Sequence, residues 1–201
     1  MSSIKLTADS NGGTFELKAP SSSSNTRVLT LPDTANGTVL TTTNPKAGNI
    51  IQVVQGETSS EITTSSETYV DSGLSQSITL SGSSSNKILV IINQQYRIHR
   101  GTTQALSGFR LMRGSTVIDQ GPNGASESNP FGIGVINSST ENYLYGRHVM
   151  TYLDAPGAGT HTYKTQMAVT TANNSAHIRA QYNASSGADG KSFITLMEVA
   201  V

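Results

Sequence analysis

The feature that constrains the fold most is a series of short apolar groups that alternate as β-strands do and are separated by turn-forming residues. No run of comparable length has a helical period. The one segment with some helical character, 121–137, contains Pro122, Gly124 and Pro130, which favour a loop. The second part of the sequence therefore predicts an all-β sandwich or another closed β architecture. Its ten predicted strands are residues 50–55, 61–64, 76–80, 87–98, 108–112, 116–119, 143–153, 159–169, 177–182 and 192–201.

The first 49 residues form a separate predicted region, an N-terminal attachment or shaft segment. Four small apolar groups, at residues 4–6, 15–17, 28–31 and 39–40, alternate with Gly, Asn and Pro turn signals. Such strands hold too few apolar side chains for a core of their own. The segment is therefore either a flexible linker or a shaft that gains burial by winding with copies of itself. The sequence around Pro45 and Gly48 predicts the hinge, which gives domains 1–49 and 50–201.

The C-terminal strand is apolar on both of its faces. This pattern predicts a central strand with one face in the core. The other face either lies against a neighbouring subunit or is covered within a monomer, and we favour the oligomer because exposed apolar sheet faces are usually covered by partners. One face carries Phe193, Thr195, Met197 and Val199, and the other carries Ile194, Leu196, Glu198 and Ala200.

Composition excludes several classes of protein. Ser and Thr supply roughly a quarter of the residues, but apolar runs such as 87–92 can bury enough surface to oppose disorder. The 13 basic and 13 acidic residues balance without any run of like charge, which predicts no binding to nucleic acid. The longest apolar stretch is far shorter than the roughly 20 residues that cross a bilayer, which predicts no insertion into a membrane. Cys is absent, so disulfides contribute nothing. The first residues lack the pattern of a secretory signal, which predicts synthesis in a cytoplasm.

Several segments resemble the shaft of tailed-phage fibre proteins, especially those of marine and cyanobacterial phages. These are residues 13–20 (GTFELKAP), 25–33 (NTRVLTLPD), 37–42 (GTVLTT) and 48–55 (GNIIQVVQ). Residues 108–118 (GFRLMRGSTVI) and 192–199 (SFITLMEV) are similar to the knob that follows such shafts. The chain departs from the family in being short, without a long shaft or a separate baseplate-binding domain.

The resemblance implies an intertwined homotrimer whose tip has a jelly-roll fold like that of tumour necrosis factor. It implies a virion protein without enzymatic activity, joined to other tail or capsid proteins through its N-terminal segment. The leading hypothesis is a tail fibre or knob that attaches to the host surface. The alternative is a capsid-bound head fibre or decoration protein, and a polysaccharide-degrading tailspike is disfavoured by the short shaft and the few carboxylates.

No motif predicts a catalytic, cofactor-binding or metal-binding residue. Residues 187–192 end like a phosphate loop, but the first glycine of that motif is missing and a strand follows. Glu57, Glu61 and Glu67 lie in a polar segment that favours a solvated surface over a glycosidase pair. If residues 143–153 and 159–169 form a hairpin, His148 could approach His161 as a pair of metal ligands. Surface or trimer-axis positions are the expectation for all four histidines, which are His99, His148, His161 and His177.

Two features suggest a binding surface for a host glycan or protein. Five tyrosines of the second half could stack on sugars, although packing inside the knob is the favoured interpretation: Tyr143, Tyr145, Tyr152, Tyr163 and Tyr182. Two polar segments without a regular pattern, 101–107 and 120–141, are predicted to be exposed loops that carry the contact. Within the longer segment, the candidate receptor-facing residues are Pro122, Asn123, Gly124, Asn129 and Pro130.

Overall fold

The computed structural model describes residues 3–7, 11–18, 21–22, 24, 45–81, 83–100, 105–120, 133–135, 142–169, 176–182 and 190–201. The chain divides into two compact units, Met1–Val39 and Leu40–Val201. Gly48 N donates to Ala200 O at 2.9 Å, and Ala200 N donates to Asn49 O at 2.9 Å. Residues 48 and 49 are therefore bonded to the C-terminal end of the second unit.

The first unit contains an antiparallel pair, β1 (Ser3–Thr7) and β2 (Thr14–Lys18). The connection uses Asn11 and Gly12, both with positive φ (65° and 66°), a conformation that Asn and Gly adopt most readily. Two of the four predicted N-terminal strands are thereby confirmed, and the groups at 28–31 and 39–40 lie outside the described residues. Ile4 and Leu6 are each more than half exposed, so this pair buries little apolar surface by itself.

The second unit is built from strands in two antiparallel sheets, and no helix occurs in the part of the chain that the structure describes. Each of the ten predicted strands overlaps an observed one, which confirms the all-β class. The strands are β3 (Ile50–Thr58), β4 (Ile62–Thr64), β5 (Val70–Thr79), β6 (Lys87–Arg100), β7 (Ala105–Arg113), β8 (Thr116–Gln120), β9 (Ile133–Val135), β10 (Asn142–Asp154), β11 (Thr160–Val169), β12 (His177–Ala180) and β13 (Ser192–Val199).

The long strand β6 organises the six-stranded sheet. Along one edge it pairs with β10, from Ile88↔Asp154 to Arg100↔Asn142. Along the other edge it pairs first with β13 and then with β12. Strand β3 lies beyond β13, and β4 lies beyond β12. The predicted central position of the C-terminal strand is confirmed, because β13 has β3 on one side and β6 on the other.

The five-stranded sheet has the order β5-β11-β7-β8, with β9 also paired to β7. The two sheets face each other across one apolar core, since the buried cluster draws side chains from both. Burying each large aliphatic or aromatic side chain contributes about 1.5–3 kcal/mol. The fully buried large side chains are Leu74, Leu111, Tyr163 and Met167 from the five-stranded sheet and Ile88, Ile92, Ile98, Ile178, Ile194 and Leu196 from the six-stranded sheet.

A polar network also crosses the core. The amide oxygen of Gln94 on β6 accepts hydrogen bonds from Thr165 Oγ1 (2.8 Å) and Ser72 Oγ (3.3 Å) of the opposite sheet. The amide nitrogen of Gln94 donates to Ser192 Oγ at 2.9 Å. All four side chains are fully buried. Because buried polar groups are costly unless paired, this network fixes how the two sheets are placed against each other.

Three sequence expectations need correction. Residues 143–153 and 159–169 do not form the hairpin that would bring His148 near His161, because β10 belongs to the six-stranded sheet and β11 to the other. The segment 101–107 is not all loop, since β7 begins at Ala105, and 120–141 contains the short strand β9. The other predicted loop residues, Pro122, Asn123, Gly124, Asn129 and Pro130, lie outside the described residues.

Glu198 closes one end of the sandwich. Although it belongs to β13, it points into the core side and is fully buried. Its carboxylate accepts hydrogen bonds from Asn86 Nδ2 (2.8 Å), from Ser81 N (3.0 Å) and Oγ (2.9 Å), and from Gln52 Nε2. Burial alone would raise the pKa of Glu198, but these hydrogen bonds outweigh burial and lower it to about 2.

Replacing Glu198 by Gln is expected to lower the free energy of unfolding at pH 7 by about 2 kcal/mol, because the new amide group faces donors. The Glu198 pKa lies below the reference value of 4.5, so its contribution is complete above about pH 5. It is lost as the pH falls towards 2. Urea denaturation from pH 7 to pH 2 should show the difference between wild type and Glu198→Gln shrinking over this window.

Glu57→Gln is the matched control for this prediction. Glu57 makes an exposed pair with Lys191 at 2.8 Å, and such surface pairs contribute about 1 kcal/mol or less. If Glu198→Gln were no less stable than Glu57→Gln at pH 7, the proposed role of the buried carboxylate would be wrong.

Candidate functional site

The outer face of the six-stranded sheet is the surface with the most unusual chemistry. Side chains of a strand alternate between faces, so the even-numbered residues of β6 enter the core and the odd-numbered ones point away from it. The registers place outward residues of neighbouring strands side by side in rows across the sheet. Two rows at opposite ends of β6 differ in character, and the residues from Leu89 to Arg97 separate them by about 26 Å at 3.3 Å per residue.

The first is an apolar row made of Leu153, Leu89, Met197 and Val53. Leu153 pairs with Leu89, Leu89 with Met197, and Met197 with Val53, so the row crosses four strands. Its two ends are open to solvent, with Leu153 51 % and Val53 53 % exposed. Further apolar side chains on this face are the exposed Val149 and Ile50 and the half-buried Ile91, Phe193 and Val199.

The next row along β6 consists of Thr151, Ile91, Thr195 and Gln55. None of these side chains carries a charge. The apolar row therefore borders a neutral strip on this side, whereas Lys87 of β6 lies beside Val199 on its other side.

The second feature is a cationic–aromatic cluster at the other end of β6. Strand β10 contributes Tyr143 and Tyr145, β6 contributes Arg97 and His99, and β12 contributes His177 and Arg179. The registers set His99 between Tyr143 and His177, and Arg97 between Tyr145 and Arg179. Tyr182, just beyond β12, completes the cluster and is held by its backbone N, which donates to Gln95 Oε1 at 2.6 Å.

The rings of this cluster form a connected aromatic surface. The ring centroids of His99 and His177 lie 4.6 Å apart, and those of His99 and Tyr143 lie 4.9 Å apart. Tyr145 contacts the rings of Tyr143 (6.3 Å) and Tyr182 (5.6 Å). Tyr143 and Tyr145 remain 46 % and 55 % exposed, so part of this surface is open to a ligand.

Arg97 lies at the centre of the cluster. Its guanidinium carbon is 4.0 Å from the ring centroid of Tyr182 and 4.6 Å from that of Tyr143, which is cation–π geometry. Nη2 lies 3.5 Å from His177 Nε2. Arg97 is only 8 % exposed, and its Nε has no hydrogen-bond partner among the described residues. The Nε of the neighbouring Arg179 also lacks a partner among the described residues, but its Nη1 donates to Glu61 Oε1 at 2.8 Å.

The histidines are not arranged as the predicted hairpin would place them. His148 stacks on Phe109 with the ring centroids 5.5 Å apart, and burial lowers the pKa of its imidazole. His161 lies on the other sheet, where its Nε2 contacts Gly157 O at 3.0 Å. The structure instead brings together His99 and His177, which are far apart in sequence. Their neighbouring positions depend on the β6–β12 register, which no local pattern reveals.

The five tyrosines of the second half divide into two groups. Tyr163 is fully buried and Tyr152 packs against the core, as the favoured interpretation predicts. Tyr143, Tyr145 and Tyr182 instead belong to the cationic–aromatic cluster on the outer face. The tyrosine count alone could not show which of the five face outwards.

The remaining sequence candidates are acidic residues, possible metal ligands and the phosphate-loop-like stretch. They either have structural partners or lie partly outside the described residues. Glu57 pairs with Lys191, and Glu61 with Arg179. Among the described residues, no group of three or more His, Asp or Glu side chains could hold a metal ion. Ser192 of the phosphate-loop-like stretch begins β13 and is buried, as the predicted strand requires, whereas residues 187–189 are not described.

Comparison with protein-family models and with curated proteins finds no match. The resemblance to phage fibres therefore stays a prediction. Within the described residues, no helix is long and apolar enough to cross a membrane.

Proposed function

We propose that this chain is a structural subunit of a phage virion, a trimeric tail fibre or knob that attaches to the host surface and has no enzymatic activity. The observation that carries the proposal is the apolar row on an outer sheet face. A contiguous apolar surface on a β-sandwich favours a protein–protein contact. A second copy is the proposed partner, since homo-oligomers with closed symmetry are the commonest soluble assemblies.

The strand order supports a jelly-roll fold. The main ladders are β3-β13-β6-β10 in one sheet and β5-β11-β7-β8 in the other. Successive strands mostly change sheet, and the last strand, β13, lies between β3 and β6, the first two strands of its ladder in chain order. Two four-stranded antiparallel sheets with such crossing connections are the arrangement expected of an eight-stranded jelly roll.

The N-terminal pair β1–β2 supports self-association in a different way. Ile4 and Leu6 are exposed on a two-stranded piece that cannot bury them itself. Winding with equivalent strands of two further copies would cover these side chains, as proposed for a shaft. In this proposal the N-terminal segment joins the particle, and the sandwich is displayed at the virion surface.

The state of the carboxylates supports a non-catalytic role over a tailspike activity. A glycosidase needs two carboxyl groups facing one sugar bond. Glu57 and Glu61 are engaged with Lys191 and Arg179, and Glu198 is buried among donors. A capsid-bound head fibre or decoration protein would use the same fold and the same apolar row.

The oligomeric mass of the full chain tests the proposal. Light scattering at micromolar concentration should give three times the chain mass of 21.1 kDa. A monomer mass would contradict the proposed assembly, and a dimer mass would contradict its symmetry. Labelling of the chain in an electron-microscopic reconstruction of the particle would distinguish the tail from the capsid.

A further inference from the structure

We infer that the cationic–aromatic cluster is a binding site for a sugar that carries a carboxylate, with Arg97 as the anion-binding group. The inference rests on the proposed attachment role and names the chemical class of the receptor. The site lies at the opposite end of β6 from the apolar row, so a subunit contact through that row leaves the cluster accessible.

Arg97 carries a positive charge that is almost completely buried. A guanidinium that is more than nine-tenths buried needs an anion or a full set of acceptors, because desolvation of an unmatched charge is costly. Among the described residues, Arg97 has no carboxylate partner, and Glu61, which lies just before β4, bonds to Arg179 instead. The Tyr143 and Tyr182 rings offset part of the cost through cation–π contacts, but they accept no hydrogen bond from Nε.

A second arginine in the same protein shows what Arg97 lacks. Arg110 also stacks on a tyrosine, with its guanidinium carbon 4.2 Å from the Tyr69 ring centroid. There, Nε and Nη2 both donate to Gln166 Oε1, at 2.8 and 2.6 Å. The corresponding edge of Arg97 has an unbonded Nε. This edge is the one that binds a carboxylate with two parallel hydrogen bonds.

The exposed rings indicate what the carboxylate belongs to. Tyr143 and Tyr145 border Arg97 and present partly exposed aromatic faces, which can stack on the C–H face of a pyranose while their hydroxyl groups reach its polar rim. The guanidinium of Arg97 then selects an acidic sugar over a neutral one. An acidic peptide would use the arginines but would gain less from two flat rings.

Isothermal titration of the full chain with defined probes tests the inference. Trigalacturonate and sialyllactose are the acidic probes, maltotriose and lactose are the neutral ones, and hexaglutamate represents a protein carboxylate. We expect at least one acidic sugar to bind at least tenfold tighter than its neutral counterpart, with affinity falling as NaCl is raised. Arg97→Gln should weaken this binding at least tenfold.

Two further variants separate recognition from folding. Tyr145→Ala removes an exposed ring without touching the core and should weaken acidic-sugar binding several-fold. If Arg97→Gln fails to fold, this variant still tests the binding site. Arg147→Gln is the matched control, because Arg147 lies on the same face and bonds to Asn93 Oδ1 and Lys191 O. Its affinity should stay within twofold of wild type.

Three results would overturn the inference. These are equal binding of neutral and acidic sugars, tighter binding of hexaglutamate than of either acidic sugar, and no binding of any probe. Light scattering on the same sample keeps the two proposals apart. A trimer that binds no acidic sugar contradicts only this inference, whereas a monomer that binds it contradicts only the trimeric assembly.

Discussion

Replacing Asp154 by Ala is expected to lower the free energy of unfolding by about 3–5 kcal/mol, because a buried hydroxyl and a partly buried guanidinium both lose their acceptor. Asp154 ends β10 in the six-stranded sheet and is almost completely buried. Both of its carboxylate oxygens accept hydrogen bonds from Arg113 Nη1, at 2.8 and 2.7 Å. Tyr163 Oη donates to Oδ2 at 2.7 Å.

The effect should be large because these partners belong to the opposite sheet. Arg113 lies on β7 and Tyr163 on β11, so the carboxylate joins the two sheets where the chain crosses between them. Burial, followed by the hydrogen bond to Asp154, raises the pKa of Tyr163, and the same carboxylate raises the pKa of Arg113. Without Asp154, the fully buried Tyr163 hydroxyl and the Arg113 guanidinium both lose their acceptor.

Urea or guanidinium denaturation at pH 7 measures this change. Tyr163→Phe removes one hydrogen bond and leaves the Asp154–Arg113 pair, so it should cost only about 1–1.5 kcal/mol. Lys191→Ala is the surface control, since its pair with Glu57 is exposed and contributes about 1 kcal/mol or less. If Asp154→Ala cost no more than Lys191→Ala, the carboxylate would not be what joins the sheets at this end.

Replacing Leu153 by Glu is expected to convert the proposed trimer into a monomer. The leucine ends the apolar row and is half exposed, so the new charge disturbs the core little in the separate subunit. In the assembly, each copy would bring one carboxylate into a contact that is mainly apolar. We expect the dissociation concentration to rise at least 100-fold, which corresponds to about 2.7 kcal/mol.

Sedimentation velocity over a range of concentrations measures the effect. Val117→Glu is the matched control, because Val117 is an exposed apolar residue on β8 of the other sheet. Val117→Glu should keep the wild-type mass, and Leu153→Glu should keep the wild-type circular dichroism spectrum. A Leu153→Glu protein that remained trimeric would place the subunit contact elsewhere on the surface.

The alternation of apolar residues is enough to predict the class of fold and the position of one central strand. Short apolar groups with period two exclude helices, and the two apolar faces of residues 192–200 require neighbours on both sides. These conclusions hold because alternation is a local property that directly reflects which face of a strand is buried. The start of β5 was missed because Ser72 and Gly73 favour turns locally. Ser72 is instead buried, with a hydrogen bond to Gln94 across the core.

Which strands are neighbours in a sheet depends on tertiary packing and cannot be predicted from the local sequence. The residues 155–159 between β10 and β11 include Gly157 and Gly159, both with positive φ (84° and 113°), and their sequence suits a hairpin as well as a crossing between sheets. A hairpin and a crossing between sheets differ only in the long-range packing of the strands that they connect. Glu198 accepts a hydrogen bond from Asn86, which lies 112 positions away in the sequence, and Arg97 contacts the ring of Tyr182. Both contacts depend on strand pairings that no local pattern encodes. The chemistry of the outer face arises from strand register, which depends on the whole sandwich.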